Sequence, residues 1–222
     1  MALDQMIAIQ LCPPHPYIKQ LSESDLLKQM QLFEEWFLKE FLDYHPNKKQ
    51  KSNLNSLYKD IAECLLKQPQ VLCHFDFESR NLMLTKDGKA GILDYQDART
   101  GPIMLDPASL FRDLYKNWSE KEVYNYLKMY ISKANSIGLL EGSTNSMVKW
   151  FDFCCLQRQL RILGTLARLH LRDNKSFRLI DLPKSLEFTL AVARKYKTLE
   201  DFALFLDRDI SPLLDINLKN LK

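Results

Sequence analysis

Four polar residues near the middle of the chain have the types and spacing that phosphoryl transfer requires. His74, Asp76 and Asn81 fit the pattern H-x-D-x-x-x-x-N, and Asp94 follows after a further apolar segment. In that chemistry the aspartate of the pattern accepts or orients the proton of an attacking hydroxyl. The asparagine and the later aspartate hold Mg²⁺, which prefers oxygen ligands, against the nucleotide phosphates. We therefore expect Asp76 to be the catalytic base and Asn81 and Asp94 to be metal ligands.

The turn between the two metal-ligand candidates offers a geometric argument for the same site. Residues 86–89 are typical of a hairpin with a two-residue type I′ turn, with Asp87 and Gly88 at its centre. In such a hairpin facing residues have numbers that sum to 175, and Asn81 and Asp94 satisfy this sum. If the strands stay paired that far, the two side chains face each other with Cβ atoms about 4.5–5.5 Å apart. One cation could then bind both.

Single polar residues in loops more often stabilise turns or helix ends than take part in catalysis. Asp106 precedes Pro107 and a predicted helix, so its expected role is that of an N-cap. His74 is expected to brace the backbone of the loop rather than to act chemically. His74 and Asp106 are therefore predicted as structural support for the site.

The residues before this site are predicted to form helices. The first helix runs from Met1 to about Leu11. The second follows a capping-box pattern at Ser22 and Asp25, and a polar linker, residues 47–53, separates it from the third. The prolines that end the first helix are Pro13, Pro14 and Pro16. The apolar positions of the second and third helices are Leu26, Met30, Phe33, Phe37, Phe41, Leu54, Leu57, Ile61 and Leu65.

The apolar pattern changes at Val71 and changes again after Asp106. Short apolar segments between turn signals predict strands at Val71–His74, Leu82–Thr85 and Ala90–Leu93. Downstream, helical patterns predict four helices at about 106–115, 119–136, 144–171 and 184–207. Gly138 and Gly142 mark the break between the second and third of these. The segregation of helices from a small β region predicts an α+β fold in which helices dominate.

The composition is typical of a globular protein and argues against nucleic-acid-binding, membrane-binding and secreted classes. The hydrophobic fraction of 46% and the charged fraction of 27% are those of an ordinary globular protein. A net charge of +3 is too small to indicate nucleic-acid or anionic-membrane partners. The five cysteines show no metal-binding spacing, and no signal-peptide pattern opens the chain, so we expect a reducing, cytoplasmic location.

The central segment resembles the aminoglycoside phosphotransferase and choline kinase superfamily, which is protein-kinase-like. HFDFESRNLM from His74 is similar to its catalytic loop, and LDYQDARTGPIMLDPASLFRDLY from Leu93 is similar to its metal loop and the following helix. Within the superfamily the chain most resembles bacterial anomeric N-acetylmuramate/N-acetylglucosamine kinases. LFEEWFL from Leu32, QRQLRILGTLARLHLRDNK from Gln157 and LIDLPKSL from Leu179 extend this resemblance over nearly the whole chain.

The resemblance implies roles for further residues. It again makes Asp76 the base and Asn81 and Asp94 the Mg²⁺ ligands, with ATP as the phosphoryl donor. It makes Gln96 and Asp97 weaker candidates for contact with metal or sugar. Arg80 is a candidate for neutralising phosphate charge, with an ion pair to an acid such as Asp97 as the alternative. For Arg158 and Arg161, contact with the sugar competes with surface or salt-bridge roles.

Two positions depart from the family pattern. Position 73 is Cys where the subgroup usually has Arg, and position 78 is Glu where protein kinases have a phosphate-binding Lys. A second carboxylate near the transferred phosphoryl group is unfavourable unless it points away or binds an amino group. Both departures bear on which substrate is bound.

Kinase-like enzymes cover the ATP phosphates with a glycine-rich loop, and no glycine precedes Gly88 in this chain. We expect residues 1–20 to lead out of an absent N-terminal lobe and residues 21–222 to be the C-terminal catalytic lobe. The chain is then a fragment, one half of a split enzyme with a separate N-lobe polypeptide, or an inactive remnant. Each case predicts an apolar patch where the other lobe would sit.

The predicted function is ATP-dependent phosphorylation of a sugar hydroxyl, most simply that of an amino sugar in cell-wall recycling. An aminoglycoside- or choline-type small-molecule kinase is the enzyme alternative, and Glu78 is the residue that hints at a cationic substrate. A catalytically inactive binding protein is the alternative outside enzymes.

Overall fold

The computed structural model describes residues 1–13, 15–86 and 88–221. Contacts divide the chain into two compact units. The first unit contains Met1–Ser22 and Cys64–Cys154, and the second contains Glu23–Glu63 and Cys155–Lys222. All the residues predicted to be catalytic, metal-binding or supporting lie in the first unit.

The four strands found among the described residues all lie in the first unit and form two antiparallel pairs. β1 (Gln70–Cys73) pairs with β4 (Arg99–Pro102), and β2 (Leu82–Leu84) pairs with β3 (Ala90–Ile92). Residues 19–21 run parallel to β4, since Leu21 N donates to Thr100 O at 2.8 Å and Thr100 N donates to Lys19 O at 3.0 Å. The three predicted strands are confirmed. β4 was not predicted, because its sequence Arg-Thr-Gly-Pro has the composition of a turn.

The first unit also contains helices. They are α1 (Ala2–Gln10), α4 (Leu105–Phe111), α5 (Glu120–Ser136) and the first part of α6 (Thr144–Asp173). Gln10 on α1 ties these elements together: its amide donates to Ile103 O at 2.9 Å and accepts from the Tyr130 hydroxyl at 2.7 Å. α5 begins with a capping box between Ser119 and Glu122. Pro14, one of the prolines predicted to end the first helix, lies outside the described residues.

The second unit consists of helices. α2 (Glu23–Leu32) continues as a π-helical segment, Phe33–Phe41, and α3 (Lys48–Leu66) follows. The C-terminal helices are α7 (Leu182–Ala193), α8 (Glu200–Phe205) and α9 (Ser211–Asn220), with a second π-helical segment at Leu206–Ile210. The predicted apolar faces of the second and third helices are buried. Among the described residues, no helix is long and apolar enough to cross a membrane.

Three predictions about helices were wrong. The polar linker at residues 47–53 is mostly helix, because Asn47 and Gln50 exchange backbone-to-side-chain hydrogen bonds of 2.9 and 3.0 Å that start α3. The predicted helix 184–207 is broken after Ala193, although no glycine or proline marks the break. The predicted helix 106–115 ends at Phe111. The predicted α+β class with helices dominant is confirmed.

Candidate active site

The loop that carries Asp76 begins where β1 ends, and a buried carboxylate holds its first residues. The side chain of Asp106 accepts hydrogen bonds from His74 N at 2.8 Å and from Phe75 N at 3.0 Å. Asp106 lies inside the first turn of α4, after the N-cap Met104, so the N-cap prediction was wrong. Its two oxygens are turned to the loop because the backbone N–H groups of His74 and Phe75 are buried there and require acceptors.

Burial raises the pKa of Asp106 to about 6, and the hydrogen bonds from His74 N and Phe75 N oppose this shift. The side chain is completely buried. The charged form is therefore present at neutral pH only because the two N–H donors offset part of the cost of burial.

His74 links the loop to the segment that carries Asp94. Its Nε2 lies 2.9 Å from Leu93 O, and a carbonyl only accepts, so Nε2 carries the proton. The imidazole is buried, and its Nδ1 has no hydrogen-bond partner among the described residues. The predicted bracing role of His74 is thus consistent with its contacts.

Asn81 completes a hydrogen-bonded frame, which consists of the bonds that Asp106, His74 and Asn81 make around Asp76 and Asp94. Leu93 N donates to Asn81 O at 2.9 Å, and the Asn81 amide Nδ2 donates to Asp76 O at 2.9 Å. Because Nδ2 is committed to Asp76, the side-chain oxygen Oδ1 is left as the atom able to meet a cation. The backbones of Asp76, Asn81 and Leu93 are therefore fixed with respect to one another.

Two residues of the site adopt a left-handed backbone conformation. Phe75 has φ 78° and Asp94 has φ 64°. Such conformations are unusual for residues other than glycine and cost on the order of 1–3 kcal/mol each. For Phe75 the hydrogen bond from its N–H to Asp106 offsets this cost. Phe75 adjoins Asp76 and Asp94 is itself a predicted metal ligand, and functional sites are where such strain is typically found.

The predicted hairpin register was wrong by one residue. Leu82 pairs with Ile92, Met83 with Gly91 and Leu84 with Ala90, so facing residues have numbers that sum to 174. Thr85 N donates to Lys89 O at 2.8 Å and Gly88 has φ 76°, which is typical of a three-residue loop that ends in a left-handed glycine. Asn81 therefore adjoins Leu93 rather than facing Asp94. Asp87, the predicted turn residue, lies outside the described residues.

The donor set fits a magnesium ion bound together with phosphates. Asp94 is exposed, and its carboxylate has no hydrogen bond or ion pair among the described residues. Asn81 supplies a second oxygen donor from the neighbouring segment. No group of three or more His, Cys, Asp or Glu side chains that could hold a metal exists in the part of the chain described. One carboxylate and one amide suit Mg²⁺, which keeps water and phosphate oxygens as its remaining ligands.

Arg80 is held by its own loop rather than by Asp97. Its Nε lies 2.8 Å from Glu78 Oε2, its NH1 donates to the Tyr115 hydroxyl at 3.1 Å, and its guanidinium lies 5.4 Å from the centre of the Tyr115 ring. Burial works against the charged form, but the charges of Glu78 and its neighbours raise the pKa of Arg80. The negative charge of Glu78 is therefore already compensated within the protein.

The remaining predicted residues lie in different surroundings. Gln96 and Asp97 are exposed in the turn after Asp94, where a substrate can reach them. The side chain of Cys73 is completely buried and its thiol donates to Pro102 O at 3.4 Å, so Cys73 does not line the site. In the second unit, Arg158 is buried and Arg161 half-buried on α6.

Asp113 is a residue of the site that was not predicted from the sequence. This buried residue follows α4, and its Oδ2 accepts a hydrogen bond from Ser79 N at 2.8 Å, inside the loop between Asp76 and Asn81. The only sequence signal is its position seven residues after Asp106. Because α4 ends at Phe111, that spacing does not reflect a shared helical face, and only the structure identifies the contact.

Comparisons with known proteins identify relatives of this chain. The chain is 33% identical over 199 residues to an N-acetylmuramate/N-acetylglucosamine kinase of Neisseria meningitidis, covering 89% of this chain and 59% of that protein. It is 32% identical over 196 residues to an enzyme of the same name from Pseudomonas aeruginosa, covering 87% of this chain and 58% of that protein. The chain thus spans less than two thirds of the length of these relatives.

A solved structure shares the fold. The choline kinase LicA from Streptococcus pneumoniae superposes with a TM-score of 0.56 at 14% identity, covering 85% of this chain and 62% of that one. A further match is LicA in complex with AMP, also with a TM-score of 0.56. At this identity the likeness concerns the fold alone. The profile of the phosphotransferase enzyme family matches residues 9–139, which is more than half of the 222 residues and includes the whole hydrogen-bonded frame. The chain therefore belongs to the phosphotransferase enzyme family.

Proposed function

We propose that this chain is the catalytic part of a small-molecule kinase that transfers the γ-phosphoryl group of ATP to a hydroxyl of an amino sugar. The observation that carries the proposal is the frame in which Asp106, His74 and Asn81 fix the backbones on either side of Asp76 and Asp94. Phosphoryl transfer depends mainly on positioning and charge neutralisation, and such a frame supplies positioning.

Each residue of the frame has a defined task in this proposal. Asp76 accepts the hydrogen bond of the substrate hydroxyl and so orients its oxygen for attack. Asn81 Oδ1 and the Asp94 carboxylate hold Mg²⁺, which neutralises charge on the phosphates when bound. His74 and Asp106 keep the loop backbone in place and do not contact substrate.

The choice of an amino sugar rests on the relatives and on one contact. The relatives that resemble the chain over most of its length are named for N-acetylmuramate and N-acetylglucosamine. Choline and aminoglycosides are cationic, and Glu78 is the loop residue that would suit them. Because Glu78 pairs with Arg80, its charge is not available to recognise a cation. This contact favours the amino sugar over the choline-type alternative.

The division of the chain into residues 1–20 and a catalytic lobe at 21–222 stays a prediction, as does a separate lobe that covers the ATP phosphates. Four apolar side chains on and beside the hairpin are exposed, namely Met83, Leu84, Leu93 and Tyr95. Their exposure supports the proposal that another lobe covers this surface. We further propose a cytoplasmic location, in keeping with a substrate pair of ATP and a sugar.

The metal site is tested by calorimetric titration of the purified chain with Mg²⁺·ATP. The unsubstituted chain is expected to bind, and Asp94→Ala is expected to weaken binding at least tenfold because a metal ligand is lost. Asp60→Ala, which removes an exposed carboxylate from α3, is the matched control and should bind like the unsubstituted chain. Equal binding by Asp94→Ala would exclude Asp94 as a ligand.

The substrate class is tested by assaying phosphoryl transfer to a panel of acceptors. N-acetylglucosamine and N-acetylmuramate are expected to be phosphorylated, whereas choline and an aminoglycoside are not. Turnover of choline alone would replace the amino-sugar proposal with the choline-type alternative. A chain that binds no Mg²⁺·ATP would support a fragment that lacks the N-terminal lobe or an inactive binding protein instead.

A further inference from the structure

The second half of the loop has its own carboxylate brace. Asp113 is almost fully buried, and its Oδ2 accepts from Ser79 N at 2.8 Å. Its other oxygen, Oδ1, accepts from Tyr115 N at 2.8 Å, which closes a local Asx-type turn. Both carboxylate oxygens are therefore engaged, one within its own segment and one on the loop. Asp106 contacts the start of the loop, and Asp113 contacts a different part, between Asp76 and Asn81.

The brace continues through Tyr115 to the side chain of Arg80. The Tyr115 hydroxyl accepts from Arg80 NH1 at 3.1 Å, and the guanidinium lies over the ring. On the other side Arg112 is buried and forms a two-point ion pair with Glu120 of α5. The segment 112–115 is thus anchored to the helices of the first unit at Arg112 and to the loop at Asp113 and Tyr115.

We propose that Asp113 is a positioning residue for phosphoryl transfer, acting through the Ser79 amide on the placement of Asn81. The inference rests on the proposed function, because Asn81 is the proposed Mg²⁺ ligand. Ser79 and Asn81 belong to one 3₁₀ turn, so a shift of the Ser79 backbone moves Asn81 with it. Loss of the brace loosens this turn and leaves the Asp76 end, which Asp106 holds, in place.

The test uses amide hydrogen exchange and metal titration on the 222-residue chain with Asp113→Asn. The asparagine keeps the shape but presents an amide NH₂ to one of the two N–H donors. Exchange at the Ser79 amide is expected to become about 10- to 100-fold faster, as for loss of one hydrogen bond to a charged acceptor. The Mg²⁺ concentration that half-saturates ATP binding is expected to rise about tenfold.

Asp152→Asn is the matched control, because Asp152 is another fully buried carboxylate of the same unit, which accepts from the Tyr124 hydroxyl. It should leave Ser79 exchange and the Mg²⁺ requirement unchanged. Faster exchange throughout the first unit, in step with a lower melting temperature and an unchanged Mg²⁺ requirement, would mean that Asp113 only stabilises the fold and would overturn the proposal.

Unchanged exchange at both the Ser79 and the Tyr115 amides would overturn it as well. If Asp113→Asn does not fold, the test is made on the unsubstituted chain. Rapid exchange at its Ser79 or Tyr115 amide would contradict the hydrogen bonds to Asp113 on which the proposal rests. The exchange measurement needs no catalysis. A chain that exchanges as expected but binds no Mg²⁺·ATP therefore counts against a kinase activity of this chain alone without refuting the contact.

Discussion

At the scale of single residues, the loop around Asp76 depends on hydrogen bonds between buried side chains and backbone N–H groups. Asp106 receives two such bonds and Asp113 receives one from the loop. A loop with a left-handed Phe75 is unfavourable in isolation, and charge-assisted hydrogen bonds are strong enough to offset that cost. The same bonds make the geometry of the loop sensitive to the protonation of Asp106.

Protonation of Asp106 leads to a prediction about pH and stability. Its pKa is 3.8 ordinarily and about 6 in the folded chain, so the folded state holds a proton between these values that the unfolded state releases. The contribution of Asp106 to the free energy of unfolding is therefore complete below pH about 4 and is lost as the pH rises through about 6. Compared with Asp106→Asn, the unsubstituted chain should lose on the order of 2–3 kcal/mol between these limits.

Denaturant unfolding of both proteins at several pH values measures this difference. The substitution also changes the hydrogen bonds to His74 and Phe75, but that offset does not vary with pH. Other carboxylates titrate equally in both proteins and cancel. A difference in unfolding free energy that stays constant from pH 4 to pH 7 would show that the pKa of Asp106 is not raised.

Asp76 carries a prediction about turnover. Asp76→Ala should lower kcat by roughly 100- to 10,000-fold, as for loss of a general base, because the hydroxyl is no longer oriented. The half-buried side chain contributes little to the core, so the melting temperature should change little. Steady-state assays with N-acetylglucosamine give kcat, and retained turnover would rule out Asp76 as the base.

At the scale of secondary structure, close packing of two helices distinguishes the second unit. A Cβ atom placed on Gly164 of α6 would lie 2.2 Å from the carbonyl carbon of Leu32 and 2.3 Å from its oxygen. Leu32 is the residue at which α2 passes into the π-helical segment Phe33–Phe41. Because the atoms in the way belong to the backbone, no side-chain rotation relieves the clash.

Gly164→Ala is therefore expected to destabilise the protein, although alanine favours helices by about 1 kcal/mol over glycine. Forcing the two helices apart costs about 1–3 kcal/mol or more, which exceeds that gain. Thermal and denaturant unfolding measure the net change. An increase in stability would mean that the helix propensity dominates and that α6 does not approach Leu32 so closely.

In the β2–β3 hairpin, one additional loop residue changes which residues of the candidate site face each other. The sequence of the turn favours two residues, whereas three separate Thr85 from Lys89. A shift of one residue in the register reverses which face a side chain occupies. Asn81 and Asp94 are consequently not a facing pair, and Asn81 is instead hydrogen-bonded to Leu93, the residue before Asp94.

At the scale of the whole molecule, the two units differ in secondary structure. The first contains the strands, the loop of Asp76 and the frame around it, and the second contains helices and two π-helical segments. The family match at residues 9–139 covers the whole frame, and the relatives extend well beyond the part that this chain matches. Because the chain matches only part of these relatives, its own activity has to be established by the two experiments above, the Mg²⁺·ATP titration and the acceptor assay.

The family, the α+β class, the strands that flank the loop and the residue types of the candidate site could all be predicted from the sequence. These follow from local spacing and hydrophobic periodicity, which act over a few residues. The hairpin register, the contacts of Asp106 and Asp113, the pairing of Glu78 with Arg80 and the break between α7 and α8 became visible only in the folded structure. The contacts of Asp106 and Asp113 depend on which buried donors and acceptors meet after distant segments pack, because a buried polar group must find its partner wherever the chain places one. The hairpin register is local, but the same turn sequence is compatible with more than one loop length.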